Sequence, residues 1–188
     1  VKVGALKRHL PLSQEQLLER LRDLSERTTD IATGIHNISH KLHSSQLDYL
    51  GLVSAVEGLC SEFSSQQHVE VDFVHHDVPT ALPQKVSLCL FRVLQETLSN
   101  AVKHSGSTSF AVQLSGSSGK LYLTVRDTGV GFDVQMAQNA TGIGLISMRE
   151  RVHAVNGTMA ILSKRNYGTE IKVMVPLEAG MSEAVSRS

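Results

Sequence analysis

Between Phe91 and Gly144 one helical segment is followed by two separate glycine-rich turns, and this order limits the possible folds more than any other feature of the chain. The helical segment, FRVLQETLSNAVKHSGS, carries an apolar stripe beside a row of polar side chains. The first turn, DTGVGF, ends a run that alternates like a half-buried strand, and the second, TGIGL, opens another helical segment. The pattern predicts helices packed on a sheet, with the polar segments gathered at one site.

The helical segment carries four polar side chains on one face. Glu96 and Asn100 are four residues apart, and Lys103 and His104 continue the same face. An amide oxygen such as that of Asn100 suits Mg²⁺, which prefers oxygen ligands. Lys103 can neutralise phosphate charge, and Glu96 can orient or deprotonate an attacking group. Taken alone, the same row is equally compatible with an ordinary solvated helix face.

The two turns supply an acid and exposed main chain. Asp127 stands at the end of a predicted strand, where it can accept a hydrogen bond from an amine such as adenine N6, and Gly129 and Gly131 allow close backbone approach. Gly142 and Gly144 precede a helix, whose first N–H groups favour an anion. Each turn has an ordinary structural interpretation, and neither a dinucleotide fingerprint nor a P-loop is present. In this order, however, the segments indicate the metal, adenine and phosphate sides of a Mg-ATP site.

The order of these segments resembles the Bergerat (GHKL) ATP-binding fold. Within that group, QETLSNAVKHS and TGIGLISMRERV are similar to the sensor histidine kinases that partner nitrate-response-type regulators, as are residues 38–56, 60–66 and 167–177. The resemblance implies an α+β fold: a two-layer α/β sandwich with a mixed, mostly antiparallel sheet under three helices, preceded by a long helical arm. We expect helices at about 13–45, 48–66, 84–104 and 143–156, and strands at about 69–74, 107–114, 119–127, 158–164 and 169–176. Pro83 is expected in the first turn of the helix at 84–104, and Gly157 as the left-handed residue that ends the helix at 143–156. Gly116 and Gly119 are expected to mark the turn between the second and third strands.

The resemblance also implies roles for individual residues. Asn100 matches the Mg²⁺ ligand, and Glu96 matches the acid that serves as general base in the ATPase branch, while Lys103 and His104 match positions that face the phosphates. The connection 133–140 would be the ATP lid, which is short and polar and is therefore predicted to be mobile. The residues implied around the adenine and the phosphates are Asp127, Gly129, Gly131, Gly142, Gly144, Leu145 and Thr169, the last of which helps Asp127 through a water.

The phosphoacceptor of such kinases has no match in this chain. These enzymes phosphorylate a histidine that is followed by an acid on a dimerisation helix. Of nine histidines only His76 precedes an acid, and it falls at a predicted strand end. We therefore expect a fragment that binds Mg-ATP without phosphorylating itself. Its γ-phosphoryl group would pass to a histidine outside the chain and then to a response regulator receiver domain.

The N-terminal part has the pattern of a helix that packs against another. Its apolar residues follow a 4-3 spacing typical of a coiled-coil seam, so we expect a homodimer in the full-length protein. The expected domains are a partial dimerisation hairpin with a connecting helix (1–66), an ATP-binding domain (67–177) and a disordered tail (178–188). The seam residues are Leu17, Leu21, Leu24, Thr28, Ile31, Ile35, Ile38 and Leu42.

Composition excludes several classes of protein and leaves some alternatives open. The formal net charge of the 188 residues is zero and no basic run occurs, which argues against nucleic acid. No apolar run is long enough for a membrane segment. Two cysteines without a CxxC pair indicate a cytoplasmic location, whether or not the parent protein is membrane-anchored. The alternatives are an anti-sigma-type serine kinase, a nucleotide-binding docking scaffold without catalysis, and a gyrase-like ATPase.

Overall fold

The computed structural model describes residue 47 and residues 49–134 and 143–177. The chain divides into two compact units, Val1–His43 and Ser44–Ser188, and every described residue belongs to the second unit. The predicted helix at 13–45 with its seam, most of the predicted lid, Gly142 and the predicted tail at 178–188 lie outside the described residues.

One layer of this unit is a five-stranded sheet with the order β1-β2-β3-β5-β4. Only the β1–β2 pair is parallel, and the other three pairs are antiparallel. The prediction of a mixed, mostly antiparallel sheet is therefore confirmed. The strands are β1 (Glu70–His76), β2 (Ser109–Ser117), β3 (Lys120–Asp127), β4 (Thr158–Ser163) and β5 (Thr169–Pro176).

The second layer consists of α1 (49–67), α2 (Gln84–His104) and α3 (Ile143–His153). Burial drives this packing. Leu94 and Leu98 of α2 are fully buried, and they belong to the same apolar core as alternate residues of β3 such as Leu123. Each fully buried side chain of this size contributes about 1.5–3 kcal/mol. The predicted two-layer sandwich is confirmed, with the polar face of α2 left at the edge of the core.

α2 has the predicted bounds, whereas the role of Pro83 and the β2–β3 turn differ in detail from the prediction. Pro83 is the residue before α2 rather than part of its first turn. The turn falls on Ser118 and Gly119, which both have positive φ, whereas Gly116 is paired with Leu121 inside the sheet. Gly116 is glycine for another reason: a Cβ there would overlap the carbonyl oxygen of Asp77. The sequence shows two glycines near a turn but not which one the turn uses.

α3 ends at His153, three residues before the predicted end. Gly157 was predicted as the left-handed residue that ends the helix, but Asn156 takes this conformation, with φ 56°. Gly157 donates its N–H to the carbonyl of Val152 at 2.9 Å, and Asn156 donates to His153 at 2.9 Å. This is the Schellman hydrogen-bond pattern with asparagine in the place most often held by glycine. Among the helices of the described part, none has the length and apolar composition needed to cross a membrane.

Candidate functional site

The polar face of α2 meets the start of α3. Asn100 donates a hydrogen bond from Nδ2 to Oε1 of Glu96 at 3.1 Å, and both side chains are half-buried. The main chain of Gly144 lies against this pair, since a Cβ on Gly144 would overlap Glu96 Oε1 and lie 3.4 Å from Asn100 Nδ2. The structure thus brings Gly144 to two predicted site residues that lie more than 40 residues earlier in the sequence. Leu145, the next residue of α3, is half-buried against the core.

Lys103 and His104 lie on the exposed last turn of α2. They follow Asn100 by one helical turn, so they extend the same face toward solvent. The positive charge of Lys103 interacts favourably with the negative end of the helix dipole. The structure leaves both side chains accessible to a ligand that binds at Asn100.

Asp127 is a buried carboxylate at the end of β3, with 6% of its surface exposed. Its Oδ1 accepts a hydrogen bond from the main-chain N–H of Gly129 at 2.8 Å. In the sheet it is paired directly with Thr169, the first residue of β5. Because an ionised carboxylate can accept more than one hydrogen bond, a ligand amine can still be bound by the second oxygen. Asp127 and Thr169, predicted to act together, are neighbours in the structure.

The glycines of the first turn lie where segments of main chain pack closely. A Cβ on Gly129 would overlap the carbonyl oxygen of Ser105, and a Cβ on Gly131, at φ 56°, would overlap that of Lys164. Gly168, at φ 80°, has the same relation to the carbonyl of Asp127. These glycines therefore allow main chain to pack on main chain around Asp127.

The turn after Asp127 is held between α2 and the β4–β5 hairpin. Val130 donates its N–H to the carbonyl of Ser105, which follows the last residue of α2, at 2.7 Å. The carbonyl of Val130 in turn accepts from the N–H of Asn166 at 2.6 Å. Asn100 precedes Ser105 by five residues, or about 7.5 Å along the helix. A main-chain hydrogen bond thus links the C-terminal end of α2, about a turn and a half beyond Asn100, to the turn that follows Asp127.

A cavity of about 510 Å³ opens beside Asp127. Glu96, Asn100 and Gly144 are not among the described residues that line it, so they form a second cluster beyond the Ser105 connection. The aromatic ring of Tyr167 at its rim lies 4.6 Å from the ammonium group of Lys164. The lining residues are Arg126, Asp127, Val134, Ile161, Leu162, Ser163, Lys164, Tyr167, Gly168, Thr169 and Glu170.

Ser163 is a residue of this region that the sequence analysis missed. It ends β4, lines the cavity and pairs with Thr169 in the sheet. The available signal was a polar, inward-facing position at the end of an otherwise apolar alternation in TMAILS. Because serine is common in loops and strand ends, this signal is too weak to single it out.

The two cysteines are unsuited to chemistry at neutral pH. Burial raises the pKa of the Cys60 thiol to about 12 and that of the Cys89 thiol to about 11. Thiolates are the reactive form, so both side chains act as small apolar groups of the core. Burial also lowers the pKa of Arg92 to about 10, with a further contribution from Arg151, which still leaves Arg92 protonated at neutral pH.

Comparison with known proteins decides the family. Residues 86–179, half of the chain, match the family model described as "Histidine kinase-, DNA gyrase B-, and HSP90-like ATPase". The chain belongs to this ATPase family. ATP is accordingly the nucleotide of this domain, and the predicted fold family is confirmed.

The most similar characterised relatives include histidine kinases. The signal transduction histidine-protein kinase/phosphatase DegS of Brevibacillus brevis is 30% identical over 163 residues, covering 87% of this chain and 42% of the relative. The oxygen sensor histidine kinase NreB of Staphylococcus carnosus is 31% identical over 170 residues, covering 88% of this chain and 49% of the relative. The chain therefore spans less than half the length of these relatives.

Solved structures share the fold of this ATPase-family chain. The histidine kinase domain of a blue-light activated histidine kinase from Erythrobacter litoralis EL346 matches with a TM-score of 0.55 at 23% identity, covering 67% of this chain and 61% of that one. Full-length ShkA in complex with AMPPNP matches with a TM-score of 0.59 at 20% identity, covering 89% of this chain and 40% of that one. At these identities the likeness concerns the fold alone.

Proposed function

We propose that this chain is the catalytic ATP-binding domain of a two-component sensor histidine kinase. In this proposal the γ-phosphoryl group of Mg-ATP passes to a histidine outside the chain and then to the receiver domain of a response regulator. Membership of the ATPase family and the histidine-kinase names of the relatives support it. The observation that carries it is the contact of Glu96 and Asn100 with the main chain of Gly144, because this joins a metal-side helix to a phosphate-side helix start.

The donor set fits Mg²⁺ with Asn100 as its protein ligand. Since Nδ2 of Asn100 is engaged by Glu96, the amide oxygen is directed away from that hydrogen bond and is available to a cation. Within the described residues no group of three or more acidic, histidine or cysteine side chains is arranged to hold a metal. A site with one amide oxygen matches Mg²⁺, which keeps several waters and is held largely by substrate phosphates. Bound there, Mg²⁺ would neutralise charge on the phosphates.

The protein's contribution to phosphoryl transfer would be positioning and charge stabilisation. Asp127, assisted by Thr169, would accept the hydrogen bond of the adenine amine. The main chain at Gly142, Gly144 and Leu145 would meet the phosphates at the helix start. Lys103 and His104 would face them from the last turn of α2, with Glu96 orienting the acceptor group. A homodimer and a cytoplasmic location belong to the same proposal.

Two measurements test this function. Calorimetry should show Mg-dependent ATP binding by the 188-residue chain, and the affinity should fall at least about tenfold in Asn100→Ala. The full-length protein incubated with γ-labelled ATP should form an acid-labile phosphohistidine, whereas the chain alone should not. Labelled phosphoserine on a partner would instead support a serine kinase, and release of inorganic phosphate without a phosphoprotein would support an ATPase. Absence of nucleotide binding would leave only a docking scaffold.

A further inference from the structure

The hydroxyl of Ser163 makes hydrogen bonds to three different segments. It donates to the carbonyl oxygen of Gly168 at 3.0 Å, accepts from the N–H of Phe132 at 2.8 Å, and lies 3.0 Å from the hydroxyl oxygen of Thr169. Phe132 closes the turn that begins at Asp127, while Gly168 immediately precedes β5 and Thr169 is its first residue. Ser163 therefore joins the acid turn to the hairpin that carries Thr169.

The direction of the hydrogen bond between Ser163 and Thr169 follows from counting protons. A hydroxyl has one proton and two lone pairs. The carbonyl of Gly168 can only accept, so it takes the proton of Ser163, and the N–H of Phe132 can only donate, so it takes one lone pair. Thr169 must then donate its own proton to the remaining lone pair. Toward the cavity beside Asp127, the Thr169 oxygen consequently offers only lone pairs.

We propose that Ser163 is a positioning residue that selects adenine by fixing Thr169 as a hydrogen-bond acceptor. This inference rests on the proposed function, in which the base binds beside Asp127. A purine there faces a carboxylate and a hydroxyl oxygen that both accept. The C6 amine of adenine can donate to these oxygens directly, or through a water that donates to Thr169. Hypoxanthine and guanine carry a carbonyl at C6, so an acceptor of the base would face the acceptors of Asp127 and Thr169. Because these polar groups would be left unpaired, the site should bind such bases much more weakly than adenine.

Removal of the Ser163 hydroxyl separates this role from a structural one. In Ser163→Ala the proton of Thr169 is released and can turn toward the cavity, so rejection of the C6 carbonyl weakens. The N–H of Phe132 also loses its acceptor, which should weaken ATP and ITP binding alike. The specific readout is therefore the ratio of the dissociation constants of ITP and ATP. We expect this ratio to fall about five- to tenfold, the effect of one hydrogen bond.

The experiment measures Mg-ATP and Mg-ITP affinity by calorimetry on the 188-residue chain. Ser163→Thr keeps the hydroxyl and should keep the ratio. Ser65→Ala removes a hydroxyl that bonds only to carbonyls of its own helix, Ser61 and Glu62, both at 3.0 Å, and serves as the matched control. Thr169→Val should lower the ratio by itself. Adding Ser163→Ala to Thr169→Val should then change the ratio no further, because Ser163 acts through Thr169.

The outcomes distinguish the two proposals. If the unaltered chain binds ATP selectively and Ser163→Ala keeps the same ratio, the inference about Ser163 is overturned and the proposed function stands. A further fall of the ratio in the double variant would also overturn it. If the unaltered chain binds neither nucleotide, the proposed function fails and the inference fails with it. Should Ser163→Ala not fold, Ser163→Cys, which keeps the size with a weaker donor and acceptor, should lower the ratio to an intermediate value.

Discussion

Asn100 and Glu96 are joined across one turn of α2 by a hydrogen bond of 3.1 Å from the amide nitrogen to the carboxylate. The bond fixes which atom of the Asn100 amide remains available, namely its oxygen. It also restrains a carboxylate beside the start of α3, where the helix dipole favours negative charge. The orientation of the proposed Mg²⁺ ligand and the position of the Glu96 carboxylate therefore both depend on this hydrogen bond.

Replacement of Asn100 by alanine is expected to remove the proposed Mg²⁺ ligand and to free the Glu96 carboxylate. ATP binding in the presence of Mg²⁺ should weaken at least about tenfold, since a hydrogen bond or ligand to a charged group contributes roughly 1.5–3 kcal/mol. Calorimetry measures this loss, and circular dichroism checks the fold. Gln113→Ala, which removes an amide from the exposed face of β2, is the control and should bind normally. Unchanged affinity in Asn100→Ala would contradict the metal assignment.

Replacement of Gly144 by alanine should disturb the same cluster from the other side. The added Cβ would overlap Glu96 Oε1, so the carboxylate must move and its bond to Asn100 is lost. We expect ATP affinity to fall about tenfold with little change in melting temperature. Gly58→Ala in α1 is a matched control because nothing lies within 4 Å of its Cβ. That variant should be stabilised by up to about 1 kcal/mol through helix propensity.

Replacement of Asp127 by alanine tests the adenine assignment. The variant loses the carboxylate that would accept the adenine amine, so ATP affinity should fall by roughly 10- to 150-fold. The N–H of Gly129 also loses its acceptor, so the free energy of unfolding should be measured beside the affinity. Asp72→Ala on the exposed face of β1 controls for loss of a carboxylate as such. Retained ATP affinity in Asp127→Ala would refute this assignment.

Replacement of Gly168 by alanine should destabilise the fold. The residue has φ 80°, and a Cβ there would overlap the carbonyl oxygen of Asp127. Gly119 has a similar φ of 71° but nothing within 4 Å of its Cβ. Gly119→Ala should therefore lose about 1 kcal/mol from backbone conformation alone, and Gly168→Ala should lose clearly more. Chemical denaturation gives the free energy of unfolding of both variants. Equal losses would show that the contact between the added Cβ and the Asp127 carbonyl does not destabilise the fold.

The buried cysteines predict a pH dependence of stability. In the unfolded chain their thiols ionise near pH 9, whereas burial raises the pKa of Cys89 to about 11 and that of Cys60 to about 12. The folded state therefore holds these protons longer, and the free energy of unfolding should be unaffected by them below about pH 9 and fall as the pH rises toward 11 and 12. Denaturation of wild type and Cys89→Ala across this range measures the effect. A parallel decline in both proteins would exclude a contribution from Cys89.

Much of the fold followed from periodicity. The bounds of α2 match the predicted 84–104 because a long apolar stripe and Pro83 mark it clearly. The turn at Ser118–Gly119 and the left-handed residue after α3, Asn156, were each misplaced by one or more residues. In both places several residues of the right type stand side by side, and tertiary contacts decide which one adopts positive φ. A sequence pattern therefore predicts that a turn occurs but does not identify the residue that adopts the left-handed conformation.

The sequence predicted which residues belong to the candidate site but not how they contact one another. Glu96 and Asn100 were expected to share a face, and the structure shows their contact and adds Gly144 to it. The glycines at 129 and 131 were expected to allow close backbone approach, but the approaching segments, at Ser105 and Lys164, could not be predicted. Their place beside adenine stays a prediction. Ser163 was missed because its importance arises from three partners that only the folded chain brings together.

The hydrogen bond from the N–H of Val130 to the carbonyl of Ser105 joins two peptide groups. Exchange of either side chain therefore leaves both bonding groups in place, except that proline at 130 would remove the N–H. The neighbouring Gly129 is the sensitive position, because an added Cβ there would overlap the Ser105 carbonyl. Tolerance to substitution at this connection thus depends on a residue that takes no part in the bond itself.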